Sequence, residues 1–114
     1  MSERTTEYYE HSLEDVCIRL MQLLIKKHRD YGTNNLLKFG TFGILVRSSD
    51  KIERLVNLQN RKESVEDETI LDTWMDVAGY ALQAIMMLEN TFSNPLINAD
   101  ANEIPEHSTD NSIV

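Results

Sequence analysis

Apolar residues recur at three- and four-residue steps in three stretches of this chain, the spacing that gathers side chains on one face of a helix. The first runs from about residue 12 to 30, with Leu13, Val16, Cys17, Leu20, Leu23 and Leu24 on the stripe. Ser12, with Asp15 three residues on, suits its N-cap, and Lys26, Lys27, His28 and Arg29 crowd the far end, where cations favour the helix dipole. Gly32 is the expected stop. Residues 30–43 read as a structured loop of Gly, Thr and Asn, with a short helical turn near 35–39. Helical spacing resumes over about 44–59, where Ile44, Leu45, Ile52, Leu55 and Val56 form an expected core stripe. After a polar run, Ser64 stands three residues before Asp67 as an imperfect capping box. The third helix is then expected over about 65–92, from Val65 through Ile70, Trp74, Ala78 and Ile85 to Phe92, where Asn94-Pro95 ends it.

These elements predict an all-α fold: a bundle of three main helices plus one short turn. The third helix is apolar around most of its circumference, and Gly79 and Ala81 admit a close neighbour. Three helices offer it few neighbours, so a homo-oligomer, a dimer or a tetramer, is expected to complete the bundle.

Composition narrows the class. A chain of 114 residues suffices for one domain, and Gly 4 and Pro 2 are too few for a turn-rich β architecture. The expected division is a polar N-terminal segment (1–11), one helical domain (12–95) and a disordered acidic tail (96–114) with four acids and no Lys or Arg. The formal charge of -8 argues against holding a nucleic-acid backbone, although that tail carries half of it. Free nucleotides remain open, because local field rather than net charge governs a small anion site. Cys17 is the single cysteine and falls on the first apolar stripe, as a small core residue would. No run of eighteen apolar residues occurs, so no membrane partner is expected and the cytoplasm is the natural setting.

Two charged constellations carry the candidate chemistry. One is Arg47, Asp50, Lys51, Glu53 and Arg54 on the second helix; the other is the ladder Glu68, Asp72, Asp76, continued by Tyr80, on the third. Residues four apart lie about 40° apart around a helix, so the ladder's carboxylates repel unless a cation offsets them. Magnesium, or manganese in its place, takes a few carboxylates, waters and substrate phosphates, and two facing acidic helices suit it. Asp50, Glu53, Asp72 and Asp76 are the candidate ligands and catalytic groups, with Glu68 as a further metal ligand. Lys27, Arg29, Arg47, Lys51 and Arg54 are the candidate phosphate donors. Tyr31, Asn35 and Tyr80 are candidates for contact with base, sugar or phosphate.

The order His28-Arg29-Asp30-Tyr31-Gly32, Gly43-Ile44, Arg47-x-x-Asp50-Lys51-x-x-Arg54-Leu55 and Glu68-x-x-x-Asp72-x-x-x-Asp76-x-x-Gly79-Tyr80-Ala81 resembles the phage-associated nucleotide-modification domain. That domain is a MazG-like branch of the all-α nucleoside triphosphate pyrophosphatases. The resemblance spans about Leu13 to Leu88. It implies a magnesium-dependent pyrophosphohydrolase that splits a (d)NTP between its α and β phosphates, in phage or bacterial nucleotide metabolism or DNA modification, within the host cytoplasm. It also implies Asp50 with Glu53 and Asp72 with Asp76 as the two acidic pairs. One departure bears on activity: the superfamily's usual Glu-Glu-x-x-Glu is here interrupted by Arg47, Lys51 and Arg54. That suits the alternative, a non-catalytic protein that sequesters a nucleotide or a nucleotide signal, as a sponge in counter-defence would.

Overall fold

The computed structural model describes residues 8–60 and 67–97. All regular structure among them is helical: α1 (Tyr9–Tyr31), α2 (Asn34–Leu37), α3 (Gly40–Gln59) and α4 (Asp67–Leu88). The three long helices and the short one match the all-α bundle expected from the periodicity. The expected start at Val65, its Ser64 cap and the tail from residue 98 onward lie outside the described residues.

Three boundaries differ from the sequence reading. α1 begins at Tyr9, so residues 9–11 are helix rather than polar lead-in, and the Ser12 amide already donates to the Tyr8 carbonyl (3.0 Å) instead of its side chain capping the helix. α3 begins at Gly40, four residues before the expected start. Gly40 has φ 62, a left-handed value that glycine adopts without steric cost, and this lets the chain turn out of α2 straight into α3. α4 ends at Leu88 rather than near Phe92. Asn90 takes φ 63, its amide donates to the Met87 carbonyl (3.1 Å), and the Thr91 amide donates to Met86 (2.9 Å). This is a Schellman stop with asparagine as the left-handed residue, so Asn94-Pro95 comes too late to matter. At the other junction, Gly32 does close α1, with φ 72 and its amide on the His28 carbonyl (2.9 Å).

α3 and α4 pack against each other most extensively, α2 leans on α3, and α1 crosses α4. The crossing of α1 and α4 depends on Gly79: a Cβ built there stands 3.0 Å from Leu24 Cδ2, so even alanine asks the leucine to yield. Leu20, Ile44, Leu55 and Phe92 form the buried core, and Phe92 reaches it because the turn after Asn90 folds the chain back toward α1.

The core is narrower than the stripes imply. Leu45, Ile52 and Val56 are exposed, because Ile44 and Leu55 define the inward side of α3 and the other three lie about 100° around it. On α1, Leu13 and Val16 share Leu20's side yet are exposed, and Cys17 is exposed rather than core.

A cationic and aromatic candidate binding cleft

α1, α2, α3, α4 and the segment after α4 enclose a cleft of about 320 Å³. Its inner wall is apolar, with Leu23 and Leu24 on one side and Met75 and Gly79 on another. The polar residues of its lining are Lys27, His28, Tyr31, Asn35, Arg47, Asp76, Tyr80 and Gln83. Six of these eight, all but His28 and Gln83, belong to the candidate site read from the sequence. They come from four separate helices, so only the tertiary fold unites them.

Asp76 is the electrostatic centre. Its Oδ2 pairs with Lys51 Nζ at 2.9 Å, across the α3–α4 interface, and its Oδ1 accepts a hydrogen bond from Lys27 Nζ at 3.3 Å, across to α1. Partial burial opposes the charged carboxylate, but the hydrogen bonds and charges of Lys51 and Lys27 outweigh it and hold the pKa below the ordinary carboxylate value. The like-charge strain of the acidic ladder is thus relieved at Asp76 by two lysines. Arg47 stands one turn before Lys51 on α3 and forms no ion pair among the described residues. Two cations thus pair with the one cleft carboxylate, and a third, Arg47, lines the same cleft.

Two aromatic hydroxyls complete the polar side. Tyr31, at the end of α1, is largely exposed at the rim, whereas Tyr80 is half-buried, one turn beyond Asp76. His28 lies deeper, with its ring 6.5 Å from that of Phe92, and its Nε2 is buried with no hydrogen-bond partner among the described residues. An unsatisfied buried polar atom costs about 1–3 kcal/mol, which a ligand atom placed there would offset.

The remaining candidates lie elsewhere. Asp50, Glu53 and Arg54 line a separate open depression on α3 with Asn57 and Leu58. Asp50 and Glu53 are rotated about 60–160° around α3 from Arg47 and Lys51, whereas Arg54, seven residues after Arg47, shares their side of the helix but lies two turns beyond Arg47, outside the cleft wall. Asp72 and Arg29 are exposed and are not part of the cleft wall. Glu68 belongs to α4, but its side chain is outside the described residues. Among the described residues no three His, Cys, Asp or Glu side chains stand close enough to hold one metal ion. The two acidic pairs expected to share magnesium do not converge within one chain, and the cleft carboxylate is already engaged by two ammonium groups.

Gln83 and Phe92 were not among the sequence candidates. Gln83 extends the Asp76–Tyr80 line by three residues, so following that face one step further finds it. Phe92 had no such signal, since its position follows from the left-handed turn at Asn90. Comparison of the chain with protein-family models, curated proteins and solved structures finds no match. Among the described residues no helix is long and apolar enough to cross a membrane.

Proposed function

We propose that this protein binds a phosphorylated nucleoside in the cleft and holds it intact. The observation that carries this reading is the pairing of Lys27 and Lys51 with Asp76 in a cleft that Arg47, Tyr31 and Tyr80 also line. Three cations to one carboxylate leave a local positive excess for phosphate, and Arg47 offers a planar fork suited to its oxygens. The tyrosine rings offer faces for a base. A volume of about 320 Å³ lies at the small end of ligand pockets and suits a mononucleotide. The unpaired His28 Nε2 supplies a further polar contact deeper in. The resemblance to the phage nucleotide-modification domain supports the same ligand class and a setting in phage nucleotide metabolism or counter-defence.

The second reading, a magnesium-dependent NTP pyrophosphohydrolase, uses the same cleft. It is favoured by the packing of α3 on α4, the two helices that carry the acidic pairs. The described carboxylates do not fit a metal within one chain, and this ranks hydrolysis behind binding.

One titration separates the readings. Calorimetry with each NTP, dNTP and cyclic mononucleotide in EDTA, then with magnesium, is followed by chromatography of the recovered ligand. Binding in EDTA with intact ligand is the expected result. Release of monophosphate and pyrophosphate with magnesium moves the function to the second reading, and absence of binding by every nucleotide defeats both.

A further inference from the structure

α4 carries a second apolar line on the side away from the cleft. Thr73, Asp76, Tyr80 and Gln83 mark the side turned toward α1, α3 and the cleft. Centred about 150° around the helix run Leu71, Trp74, Ala78, Ala81, Ile85 and Leu88, at steps of three and four, and all six are exposed. No charged residue lies between Asp76 and Glu89. Trp74 is 54% exposed, which is unusual for the largest apolar side chain of a chain this size.

The order of sizes along this line is symmetric: large, large, small, small, large, large. A two-fold axis crossing α4 midway between Ala78 and Ala81 sets Leu71 against Leu88, Trp74 against Ile85 and Ala78 against Ala81. Such self-complementarity is what an isologous interface requires, and an unrelated partner would not call for it. The alanines let the two backbones approach where they cross. The large residues fill the widening gaps on either side.

The register also provides a receiving surface for Trp74. Beside Ile85 a groove of about 380 Å³ opens between α1 and α4, lined among others by Met21, Ile25, Leu82, Ile85 and Met86. We propose that α4 pairs antiparallel with α4 of a second copy of this chain, each copy's Trp74 entering the other's α1–α4 groove. The eight large apolar side chains involved expose on the order of 100 Å² apiece, together about 800 Å² per copy, the size of a standard specific interface. The neutral stretch around the crossing brings no like charges together there. The groove adjoins the nucleotide cleft, with Leu24, His28, Gln83 and Phe92 lining both, whereas the lysine–Asp76 pairs and Arg47 lie outside it; the pairing rests on the apolar line of α4 and not on what the cleft binds.

The test uses the full chain. Multi-angle light scattering and sedimentation between about 5 and 200 µM are expected to show a dimer, and the emission of the single tryptophan is expected to shift to shorter wavelength as the dimer forms. Ala81→Glu, at a position exposed in the single chain, is expected to give a monomer with unchanged helical circular dichroism and red-shifted emission. Register is read by oxidation in a Cys17→Ser background. Leu71→Cys protein mixed with Leu88→Cys protein is expected to cross-link, while either alone is not, because residues 71 of the two copies lie about 25 Å apart along the helices. A monomer across the whole range, a dimer that survives Ala81→Glu, or cross-linking of Leu71→Cys with itself each overturns the proposal. If Ala81→Glu does not fold, the cross-linking pattern decides alone.

Discussion

Replacing Asp76 with asparagine tests the electrostatic core of the cleft. The substitution keeps the shape and removes the charge that holds Lys27 at 3.3 Å and Lys51 at 2.9 Å. Neither pair is sealed from water: the side chains are 42% exposed for Lys27, 33% for Lys51 and 22% for Asp76. Solvent screening therefore limits each pair to roughly the 0.2–1 kcal/mol of exposed ion pairs, with Lys51 at or above the top of that range for its shorter, drier approach. The two lysines left facing each other add a further small penalty. A total near 1–2 kcal/mol follows, which lowers the melting temperature of a domain this size by roughly 5–10 °C. Nucleotide affinity should move the other way, because two ammonium groups are freed for phosphate and the competing carboxylate is gone. One additional charge-assisted hydrogen bond to phosphate corresponds to about a tenfold tightening or more. The pH dependence has a definite sign. The folded pKa of Asp76 is depressed, so its stabilisation is fully present above the ordinary carboxylate value near 3.8 and is lost as pH falls below that value through the folded pKa. Asp76→Asn should therefore flatten the melting curve against pH in the acid range below about 4 and shift it downward without a change of slope near neutrality. Thermal melts by circular dichroism and calorimetry with the tightest-binding nucleotide read both effects. A variant that melts within a degree of the parent and binds no tighter would show that the lysines are not engaged by Asp76.

Other substitutions probe the remaining parts. Arg47→Ala should weaken nucleotide binding about 10- to 100-fold in calorimetry while leaving the melting temperature within a degree or two, since Arg47 forms no ion pair among the described residues. Asp50→Ala with Glu53→Ala should leave that binding unchanged, because both line a different depression on α3; a tenfold loss would show that they reach the ligand. Gly79→Val should cost about 1–3 kcal/mol in urea unfolding, as its branches drive into Leu24 where a Cβ alone already stands 3.0 Å away. Asn90→Gly should be neutral or slightly stabilising and Asn90→Val clearly destabilising, because φ 63 is open to glycine and closed to a β-branched residue.

Much of the fold was legible because helical periodicity is a local property. The three long helices follow from apolar spacing, and Gly32 ends the first as expected. The boundaries that differ were decided by backbone conformation at single residues. Gly40 looked like loop and instead begins α3, and Asn90 ends α4 in a left-handed turn although it reads as an ordinary polar residue. Periodicity also could not say which apolar face is used. Leu45, Ile52 and Val56 share the spacing of Ile44 and Leu55, yet only the latter two are buried within the chain.

The candidate site divided along the same line. Sequence alone determined which residue types were present and at what spacing: cations, tyrosines and acids on helices, with the acids of the third helix in need of a counter-charge. Only the tertiary structure decided which of them meet. Lys27, Arg47, Lys51, Asp76 and Tyr80 converge from three helices, whereas Asp50, Glu53 and Asp72 turn elsewhere. The physical reason is that residues adjacent in sequence lie about 100° apart around a helix, so neighbours in one charged block can face opposite ways. Which way each faces is set by the buried packing of Leu20, Ile44, Leu55 and Phe92, which fixes how the helices are rotated against one another.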